Sequence, residues 1–400
     1  MSSILYISYD GILEPLGQSQ VLRYLEKLAL SHKIFLISFE KKNDWKNDID
    51  NRDALNIKIR EAGIHWIPLR YHKNPSAFAT AFDIVQGILV GLWVCFRYQI
   101  QVVHARSYIP SVMTLILKFF FRVKYLFDMR GFWADERVDG GLWLADSKMY
   151  MVAKWFERHF FLSADCIVSL TKVAVEEIKM NSYLQNRQLN FEVITTCTDL
   201  QRFKPVDEVQ TNKNDKPLVI GYVGAVGVWY LFDETLICFK FLLKEIPSAK
   251  LHILNRGEHK YIKDCLKKHK LPLSSVLIES VQHQEVPKKI QKMDAAIFFI
   301  KPAFSKLASA PTKFGEFLAC GVPCLSNTGI GDMAEIIKKE SVGIAINDFS
   351  NESMQEGVRR LIKLTQDSNI RKRCRSSAIK NFSLEEGVKS YSQIYTNLLR

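Results

Sequence analysis

Short apolar runs typical of β-strands alternate with helical patterns along almost the whole chain. The first cycle consists of the strand "ILYISY" at 4–9, the helical pattern "SQVLRYLEKLAL" at 19–30 and the strand "KIFLISF" at 33–39. This alternation predicts parallel sheets, because two parallel strands need a crossover connection that a helix usually supplies. The sequence therefore predicts an α/β protein with doubly wound, Rossmann-like sheets.

The alternation is interrupted once and then begins again. Residues 196–216 are polar and contain prolines, a composition typical of a linker, and the strand pattern "PLVIGYVGAV" follows at once. A chain of 400 residues is also too long for one compact core. We therefore expect an N-terminal domain over 1–195 and a C-terminal domain over 217–380, facing each other across a cleft. The amphipathic segment 381–400 is predicted to be a helix that packs back toward the N-terminal domain.

The charge balance narrows the class of partner. A formal net charge of +13 favours nucleic acid, anionic lipid or a phosphorylated small molecule. No run of basic residues interleaved with aromatic ones is typical of nucleic-acid binding, so nucleic acid is not expected as a partner. The first residues lack the pattern of a secretory signal, and the eight cysteines show no paired or metal-binding spacing. A cytoplasmic protein with reduced thiols is expected.

The most apolar segment is "AFATAFDIVQGILVGLWVCFRY" at 77–98. Its uncharged part, from Ile84 to Phe96, is short for a membrane span. Two interpretations fit equally well: a buried helix, or an interfacial helix. The second is helped by "LKFFFRVKY" at 117–125, in which basic and aromatic residues alternate, and it implies peripheral contact with an anionic membrane.

Two glycine-containing turns follow predicted strands. Gly17 precedes a helix start that includes Gln18, and Gly224 and Gly227 lie in "GYVGAVGVWY". Backbone N–H groups at a helix start favour an anion such as a diphosphate, although an ordinary strand-to-helix turn explains Gly17 equally well. The glycine spacing is not that of a dinucleotide fingerprint, so a nicotinamide enzyme is not expected.

The densest cluster of polar residues is "YLFDMRGFWADERVDGGLW" at 125–143. Asp128 and Arg130 lie where a strand ends, at the edge where sites form in such sheets. An arginine there suits a phosphate or carboxylate. His104 ends the preceding strand and shares that edge. The competing interpretation is a salt-bridged loop that only stabilises the domain.

One acidic residue, Glu316, lies among apolar neighbours in "PTKFGEFLACGVPCLSN" at 311–327. Pro311 suits a first helical position and Gly321 a C-terminal cap. Lys313 and Glu316 are then three residues apart on one face of the helix. A buried carboxylate needs hydrogen-bond donors, which vicinal hydroxyls of a ribose or sugar would supply. The alternative is a weak Lys–Glu pair on the helix surface.

These motifs together resemble retaining GT-B glycosyltransferases of glycosyltransferase family 4. "PTKFGEFLACGVPCLSN" resembles the nucleotide-binding helix of that family, and "ILYISYDGILEPLGQSQV" resembles its N-terminal glycine loop. "VITTCTDLQRFKP" is similar to its interdomain segment and "GYVGAVGVWYLFDETL" to the start of its C-terminal domain. The resemblance covers nearly the whole chain. It implies a GT-B fold with an acceptor-side N-terminal domain and a nucleotide-sugar-binding C-terminal domain.

The resemblance also implies roles for single residues on the donor side. Glu316 would hold the ribose hydroxyls of a nucleoside diphosphate sugar, and Gly17 would lie against the donor phosphates. Lys313 and Arg256 are the candidates to replace the diphosphate-binding Arg and Lys that "GAVGVWY" lacks. Ala308 stands where the family often has a second glutamate, so the contact to the transferred sugar is expected to be altered there.

On the catalytic side, the resemblance places Asp128 and Arg130 in the loop where many members have a sugar-contacting histidine. With His104 they are the predicted catalytic residues. The histidine position itself reads Asp128, which is a departure from the family pattern.

The expected activity is transfer of a sugar, with retained configuration, from a nucleoside diphosphate sugar to a cell-envelope or polysaccharide glycan acceptor, free or lipid-linked. No metal and no cofactor besides the donor substrate is expected. Two other hypotheses remain: a non-catalytic sugar-nucleotide or glycan-binding protein with a degenerate site, and a nucleotide-sugar epimerase of the same architecture. The expected location is the cytoplasm, with peripheral attachment to the inner face of the cell membrane.

Overall fold

We describe a computed structural model of the chain that covers residues 1–47, 49–74, 76–185, 187–206, 216–282 and 284–400. The chain divides into two compact units. The first unit consists of Met1–Thr195 together with Glu385–Arg400, and the second of Thr196–Leu384. Each unit contains one parallel sheet with helices, which confirms the predicted α/β fold with two doubly wound sheets.

The first sheet has the strand order β3-β2-β1-β4-β5-β6-β7, and its neighbouring strands pair in parallel. Its strands are β1 (Ser3–Ser8), β2 (Lys33–Glu40), β3 (His65–Arg70), β4 (Val102–Arg106), β5 (Lys124–Asp128), β6 (Cys166–Ser169) and β7 (Phe191–Val193). The helices of this unit are α1 (Pro15–Gly17), α2 (Arg23–Leu28), α3 (Lys42–Asn47), α4 (Ile49–Glu61), α5 (Ser76–Tyr98), α6 (Tyr108–Phe121), α7 (Trp133–Asp139), α8 (Lys148–Ser163), α9 (Lys172–Lys179) and, at the end of the chain, α17 (Leu384–Leu398).

The second sheet has the order β10-β9-β8-β11-β12-β13, again with parallel pairing. Its strands are β8 (Val219–Val223), β9 (Lys250–Leu254), β10 (Val276–Glu279), β11 (Ala295–Ile297), β12 (Cys324–Asn327) and β13 (Gly343–Ile346). The helices of this unit are α10 (Phe232–Glu245), α11 (His259–Lys268), α12 (Val286–Ile290), α13 (Thr312–Ala319), α14 (Met333–Glu340), α15 (Asn351–Thr365) and α16 (Ile370–Phe382).

The strands form where the sequence is continuously apolar, because each sheet is covered on both faces. In β1, for example, Ile4, Leu5 and Ile7 have no solvent exposure. The first helix differs from its prediction, since helical structure begins at Pro15 and continues through a π-helical segment, Gln18–Leu22, rather than beginning at Ser19. A proline at the first position fits a helix start because its missing N–H is not needed there.

Each sheet contains one pair of neighbouring strands that leads to crossovers in opposite directions: β1 and β4 in the first sheet, β8 and β11 in the second. In doubly wound folds the crevice outside the carboxyl ends of such a pair is the usual ligand site. The Gly224 turn lies directly after β8, and Arg106 ends β4. The topology thus indicates one candidate position in each unit.

The beginning of the predicted linker 196–216 packs within the second unit. Thr198 donates its backbone N–H to the carbonyl oxygen of Phe382 at 2.7 Å, and the Arg375 guanidinium donates to the carbonyl oxygens of Leu200 and Phe203 at 3.0 and 2.7 Å. Residues 207–215 of that linker lie outside the described residues. The helix α17 contacts the first unit, where Ser392 lies 2.9 Å from the ring Nε2 of His32.

Candidate functional site

The helix α13, which carries Lys313 and Glu316, is buried from Lys313 to Ala319. Pro311 is the residue before the helix rather than its first position, and Gly321 follows the helix with a φ of 79°. Gly321 and Val322 donate their N–H groups to the carbonyl oxygens of Leu318 and Phe317, both at 2.9 Å, which is the Schellman arrangement predicted for a glycine cap. The helix is therefore fixed inside the unit.

Lys313 and Glu316 are 7% and 8% exposed, so they are not a pair on the helix surface, and that alternative is wrong. Burial raises the pKa of Glu316 to about 7, although Lys313 and Arg202 oppose this shift by their charge. Burial lowers the pKa of Lys313 to about 7, against the opposing charge of Glu316. Two ionisable groups held this far from water are costly unless a ligand supplies partners.

The Lys313 ammonium lies beside the turn after β8. A Cβ at Gly224 would lie 3.1 Å from Lys313 Nζ, and the φ of 106° at Gly224 is one that favours glycine. The same Nζ lies 3.7 Å from the ring centre of Tyr230 and 5.0 Å from that of Tyr222. Within the described residues Nζ has no hydrogen-bond acceptor. A buried lysine that packs against aromatic rings, and that has no acceptor in the described part of the chain, is poised for an anion.

The turn itself is held by the neighbouring loop after β9. Asn255 Nδ2 donates to the Gly224 carbonyl at 3.0 Å and to Glu258 Oε2 at 2.8 Å. The same Glu258 oxygen accepts the backbone N–H of Val226 at 3.1 Å, and a Cβ at Gly227 would lie 3.6 Å from Glu258 Oε1. The Gly224 N–H donates to the Leu254 carbonyl oxygen at 2.9 Å, so the N–H groups of both Gly224 and Val226 are used internally.

Arg256, predicted to bind phosphate, lies in that loop after β9, and its side chain is exposed. It belongs to the same edge of the sheet as the Gly224 turn, because β9 pairs directly with β8. The structure therefore brings Gly224 and Lys313 together and places Arg256 at the rim of that group.

One feature of this site was not predicted from the sequence. Lys306 is 6% exposed, and its Nζ lies 3.6 Å from the ring centre of Trp229. Ala308, where an altered contact to the sugar was expected, is buried at 1% exposure. A lysine six positions before the buried helix was the only signal that could have indicated Lys306.

In the first unit, the structure brings the three predicted catalytic residues together. His104 Nε2 lies 3.4 Å from Asp128 Oδ2, and Arg130 Nη1 lies 3.9 Å from Asp128 Oδ1. The helix α17 adds two tyrosines: Tyr391 donates to Asp128 Oδ2 at 3.2 Å, and the hydroxyl of Tyr395 lies 2.7 Å from His104 Nδ1. His104 and Asp128 are each 1% exposed, so α17 separates them from solvent.

Charge in this cluster is balanced internally. Burial alone would raise the pKa of Asp128, but Arg130, His104 and Arg106 hold that pKa below its usual value. Burial lowers the pKa of His104 despite the nearby Asp128 carboxylate. A neutral histidine beside an ionised aspartate therefore forms a structural network under α17. The role of these residues at a substrate stays a prediction.

Arg130 has the most solvent-exposed side chain of the three predicted catalytic residues. Its side chain is 12% exposed, and its backbone has a φ of 58°. A non-glycine residue in the left-handed region is uncommon and costs energy, and such residues occur in turns and at functional sites. Of the three predicted catalytic residues, Arg130 is thus the best placed to meet a ligand.

The glycine loop after β1 has a packing reason for its glycine. A Cβ at Gly17 would lie 2.0 Å from the carbonyl oxygen of Gly11, and Gln18 donates its side-chain amide to the Leu13 carbonyl at 3.3 Å. The Glu40 carboxylate accepts the backbone N–H groups of Ile12 and Leu13 at 2.8 and 3.2 Å. An internal carboxylate thus already occupies part of the loop where a phosphate was expected.

Replacing Gly17 by alanine is expected to destabilise the first unit by about 1–3 kcal/mol, because the added methyl group overlaps a backbone oxygen that cannot move alone. Urea unfolding of the ligand-free protein measures this loss. Gly257→Ala provides the control, since neither Gly17 nor Gly257 has a positive φ and a Cβ at Gly257 meets nothing within 4 Å. A Gly17→Ala protein as stable as the control would contradict the packing role.

No group of three or more His, Cys, Asp or Glu side chains in the described part of the chain is arranged to hold a metal ion.

Residues 203–381, all in the second unit, match the family model described as glycosyl transferases group 1. This match includes Gly224, Arg256, Lys313 and Glu316. A comparison with curated proteins finds no match.

Several solved structures are similar over the full chain. Sucrose-phosphate synthase from Thermosynechococcus elongatus matches with a TM-score of 0.73 and 14% identity, covering 100% of this chain and 99% of that one. HepE from Anabaena, solved with UDP and glucose, has a TM-score of 0.68 and 12% identity over 99% and 100%. WaaG, a glycosyltransferase involved in lipopolysaccharide biosynthesis, has a TM-score of 0.63 and 16% identity over 98% and 99%. The chain thus has the two-domain α/β fold of GT-B glycosyltransferases, and residues 203–381 match glycosyl transferases group 1.

Proposed function

We propose that this protein is a retaining, metal-independent glycosyltransferase of family 4, which transfers a sugar from a nucleoside diphosphate sugar to a cell-envelope or polysaccharide glycan. The observation that carries this proposal is the buried pair Lys313 and Glu316 on α13, next to the Gly224 turn. The match of residues 203–381 to glycosyl transferases group 1 supports it.

Glu316 has the chemistry of a ribose ligand. Its carboxylate is buried with few charges to balance it, so two vicinal hydroxyls would each donate a hydrogen bond to an acceptor that water no longer solvates. Such bonds to a charged acceptor are stronger than those between neutral groups. A nucleoside bound here would therefore be recognised through its ribose rather than through its base.

Lys313 has the chemistry of a diphosphate ligand. Its Nζ lies at the Gly224 turn after β8, at the carboxyl edge of the strand where phosphate groups bind in this class of fold. In a transfer reaction the leaving diphosphate gains negative charge, and a preorganised cation in a site with little water stabilises that charge. Arg256, exposed at the same edge, would add a second cation.

The nucleotide and acceptor classes draw support from similar structures. HepE from Anabaena was solved with UDP-glucose, and WaaG is involved in lipopolysaccharide biosynthesis. The acceptor proposed for this chain is accordingly a cell-envelope glycan, free or lipid-linked, with the first unit on the acceptor side.

A second candidate is a sugar-nucleotide-binding protein without transferase activity. Two observations favour it: Ala308 leaves the position of the second glutamate without a polar group, and α17 covers His104 and Asp128. Both hypotheses use Glu316 and Lys313 in the same way. They differ in whether bound donor loses its nucleotide.

The experiment that separates them has two steps. Thermal unfolding is first measured with UDP, GDP, ADP and CMP, and then with the sugar forms of whichever nucleotide stabilises the protein. Nucleotide release from that donor is next measured with cell-envelope glycans as acceptors. Release that requires acceptor supports the transferase. Stabilisation without release from any donor and acceptor pair supports the binding protein, and no stabilisation by any nucleotide contradicts both.

A further inference from the structure

The helix α5 has an exposed face that is entirely apolar. Phe78, Phe82, Val85, Leu89, Trp93 and Phe96 follow one another at spacings of three or four residues, and each is between 54% and 79% exposed. This spacing places them along one side of the helix. The segment Ala77–Tyr98 is, among the described residues, the one helix long and apolar enough to cross a membrane, with a mean hydropathy of 1.8.

The opposite face of α5 is part of the core of the first unit. Val94 and Cys95 are buried with strand residues of β1 and β2, and a Cβ at Gly87 would lie 2.5 Å from the sulfur of Met113 on α6. Asp83, on this inner face, accepts hydrogen bonds from the hydroxyl of Tyr9 at 2.9 Å and from the backbone N–H of His72 at 3.1 Å. A helix anchored in this way belongs to the folded unit and does not span a bilayer.

The apolar surface continues onto two neighbouring helices. α6 packs against α5 and exposes Phe119 and Phe120, which are 81% and 63% exposed. α8 packs against α6 and exposes Met149, Val152 and Trp155. We call the exposed apolar side chains of α5, α6 and α8 the apolar face. A surface of this extent is unusual on a protein that meets only water.

The charges on these three helices are of one sign at the surface. Their only acidic residues are Asp83 and Glu157, and both are buried at 0% and 3% exposure. Arg97, Lys148 and Arg158 are exposed on the same helices. A protein partner with an apolar surface would need no such bias, whereas aromatic side chains flanked by cations match the boundary between the acyl chains and the headgroups of an anionic membrane.

We propose that the apolar face docks the first unit onto an anionic membrane surface, with α5 lying parallel to the bilayer plane. The aromatic side chains enter the acyl-chain boundary, and the basic side chains contact lipid phosphates. A helix of this length presents about 35 Å of contact at 1.5 Å per residue. The docking does not depend on the proposed activity, since it uses residues of the first unit outside the candidate site.

Co-sedimentation with vesicles tests this surface. The probes are vesicles of phosphatidylcholine alone and of phosphatidylcholine with phosphatidylglycerol. Phe82→Gln/Leu89→Gln/Phe96→Gln is expected to weaken binding to the anionic vesicles by about tenfold or more. Arg97→Gln/Lys148→Gln is expected to weaken it by about fivefold for each charge removed, and only on the anionic vesicles. Leu30→Gln/Ile57→Gln, which replaces exposed apolar residues elsewhere in the unit, is expected to bind as the wild type does.

The depth of insertion has its own measurement. Lipids brominated in the acyl chain are expected to quench tryptophan fluorescence in the wild type, and Trp93→Phe is expected to remove much of this quenching while preserving binding. Trp45→Phe is the matched control, because Trp45 lies outside the apolar face. Equal vesicle binding by the triple variant and the wild type would overturn the proposal. A wild-type dimer that the triple variant converts to a monomer would also overturn it, by assigning the face to a second copy of the chain.

Discussion

Glu316→Gln is expected to weaken nucleotide binding by about 10- to 100-fold and to remove most of the thermal stabilisation that a nucleoside diphosphate gives. The amide keeps the size of the side chain, but it replaces one acceptor oxygen with a donor and removes the charge that strengthens the bonds to two hydroxyls. The effect on the ligand-free protein is expected to have the opposite sign, because burial holds the pKa of Glu316 near 7 and the ionised form is costly there.

The pH dependence of this second effect follows from the same pKa. Glu316 has a folded pKa of about 7 against an ordinary value of 4.5, so the folded state holds a proton that the unfolded state has lost between these values. Its contribution to stability therefore falls as the pH rises from about 4.5 to 7. Glu316→Gln is expected to remove this fall, and urea unfolding across that range measures it.

A matched control is Glu335→Gln, which changes an exposed carboxylate on α14 in the same unit. It is expected to leave both nucleotide binding and the pH profile unchanged. If Glu316→Gln bound nucleotide as tightly as this control, Glu316 would not be the ribose ligand. Loss of binding together with a large loss of ligand-free stability would instead indicate a purely structural carboxylate.

Lys313→Met is expected to weaken binding of the nucleoside diphosphate by about 10- to 100-fold and to leave binding of the matching nucleoside almost unchanged. Methionine fills the same apolar surroundings without the charge, so only the contact to the phosphates is lost. Calorimetric titration with both ligands measures the two affinities. Glu316→Gln is expected to differ by weakening nucleoside and nucleotide equally, because both carry the ribose.

The ligand-free Lys313→Met protein is expected to be more stable than the wild type below pH 7. Burial lowers the pKa of Lys313 to about 7 from an ordinary value of 10.5, so the penalty of the buried charge is fully present below the lower value and is lost as the pH rises toward the higher one. Lys338→Met, on α14, is the matched control for replacing a lysine on a helix of the second unit. Equal weakening of nucleoside and nucleotide by Lys313→Met would contradict a phosphate-specific role.

The fold could be predicted from the sequence because the information is local and redundant. Each buried strand is a short apolar run, and the cap at Gly321 follows from a single residue that tolerates a positive φ. The burial of Glu316 was one of two interpretations of the sequence, because Phe314 and Phe317 are apolar whereas Lys313 lies on the same face of the helix. The helix start near Pro15 was harder to predict from the sequence, because the first residues of the helix show no apolar periodicity.

The parts of the site that could not be predicted depend on residues far apart in the chain. Tyr391 and Tyr395 contact Asp128 and His104 across 263 and 291 positions, and no local pattern in the sequence indicates such pairing. The same holds for Glu40, the last residue of β2. Its carboxylate accepts backbone N–H groups of the loop before Gly17. Residue types alone therefore suggested a phosphate-binding loop and an open catalytic cluster. In the structure, Glu40 binds amides of the loop, and the tyrosines of α17 cover the cluster.

The order of the units along the chain has a consequence for synthesis on the ribosome. The first unit is interrupted in sequence, because Glu385–Arg400 completes it only after the whole of Thr196–Leu384 has been made. Tyr391 and Tyr395 are translated after the second unit, yet they contact a histidine and an aspartate translated long before. The second unit is therefore complete in sequence before the first, and the ion cluster of the first unit closes only after α17 has been made.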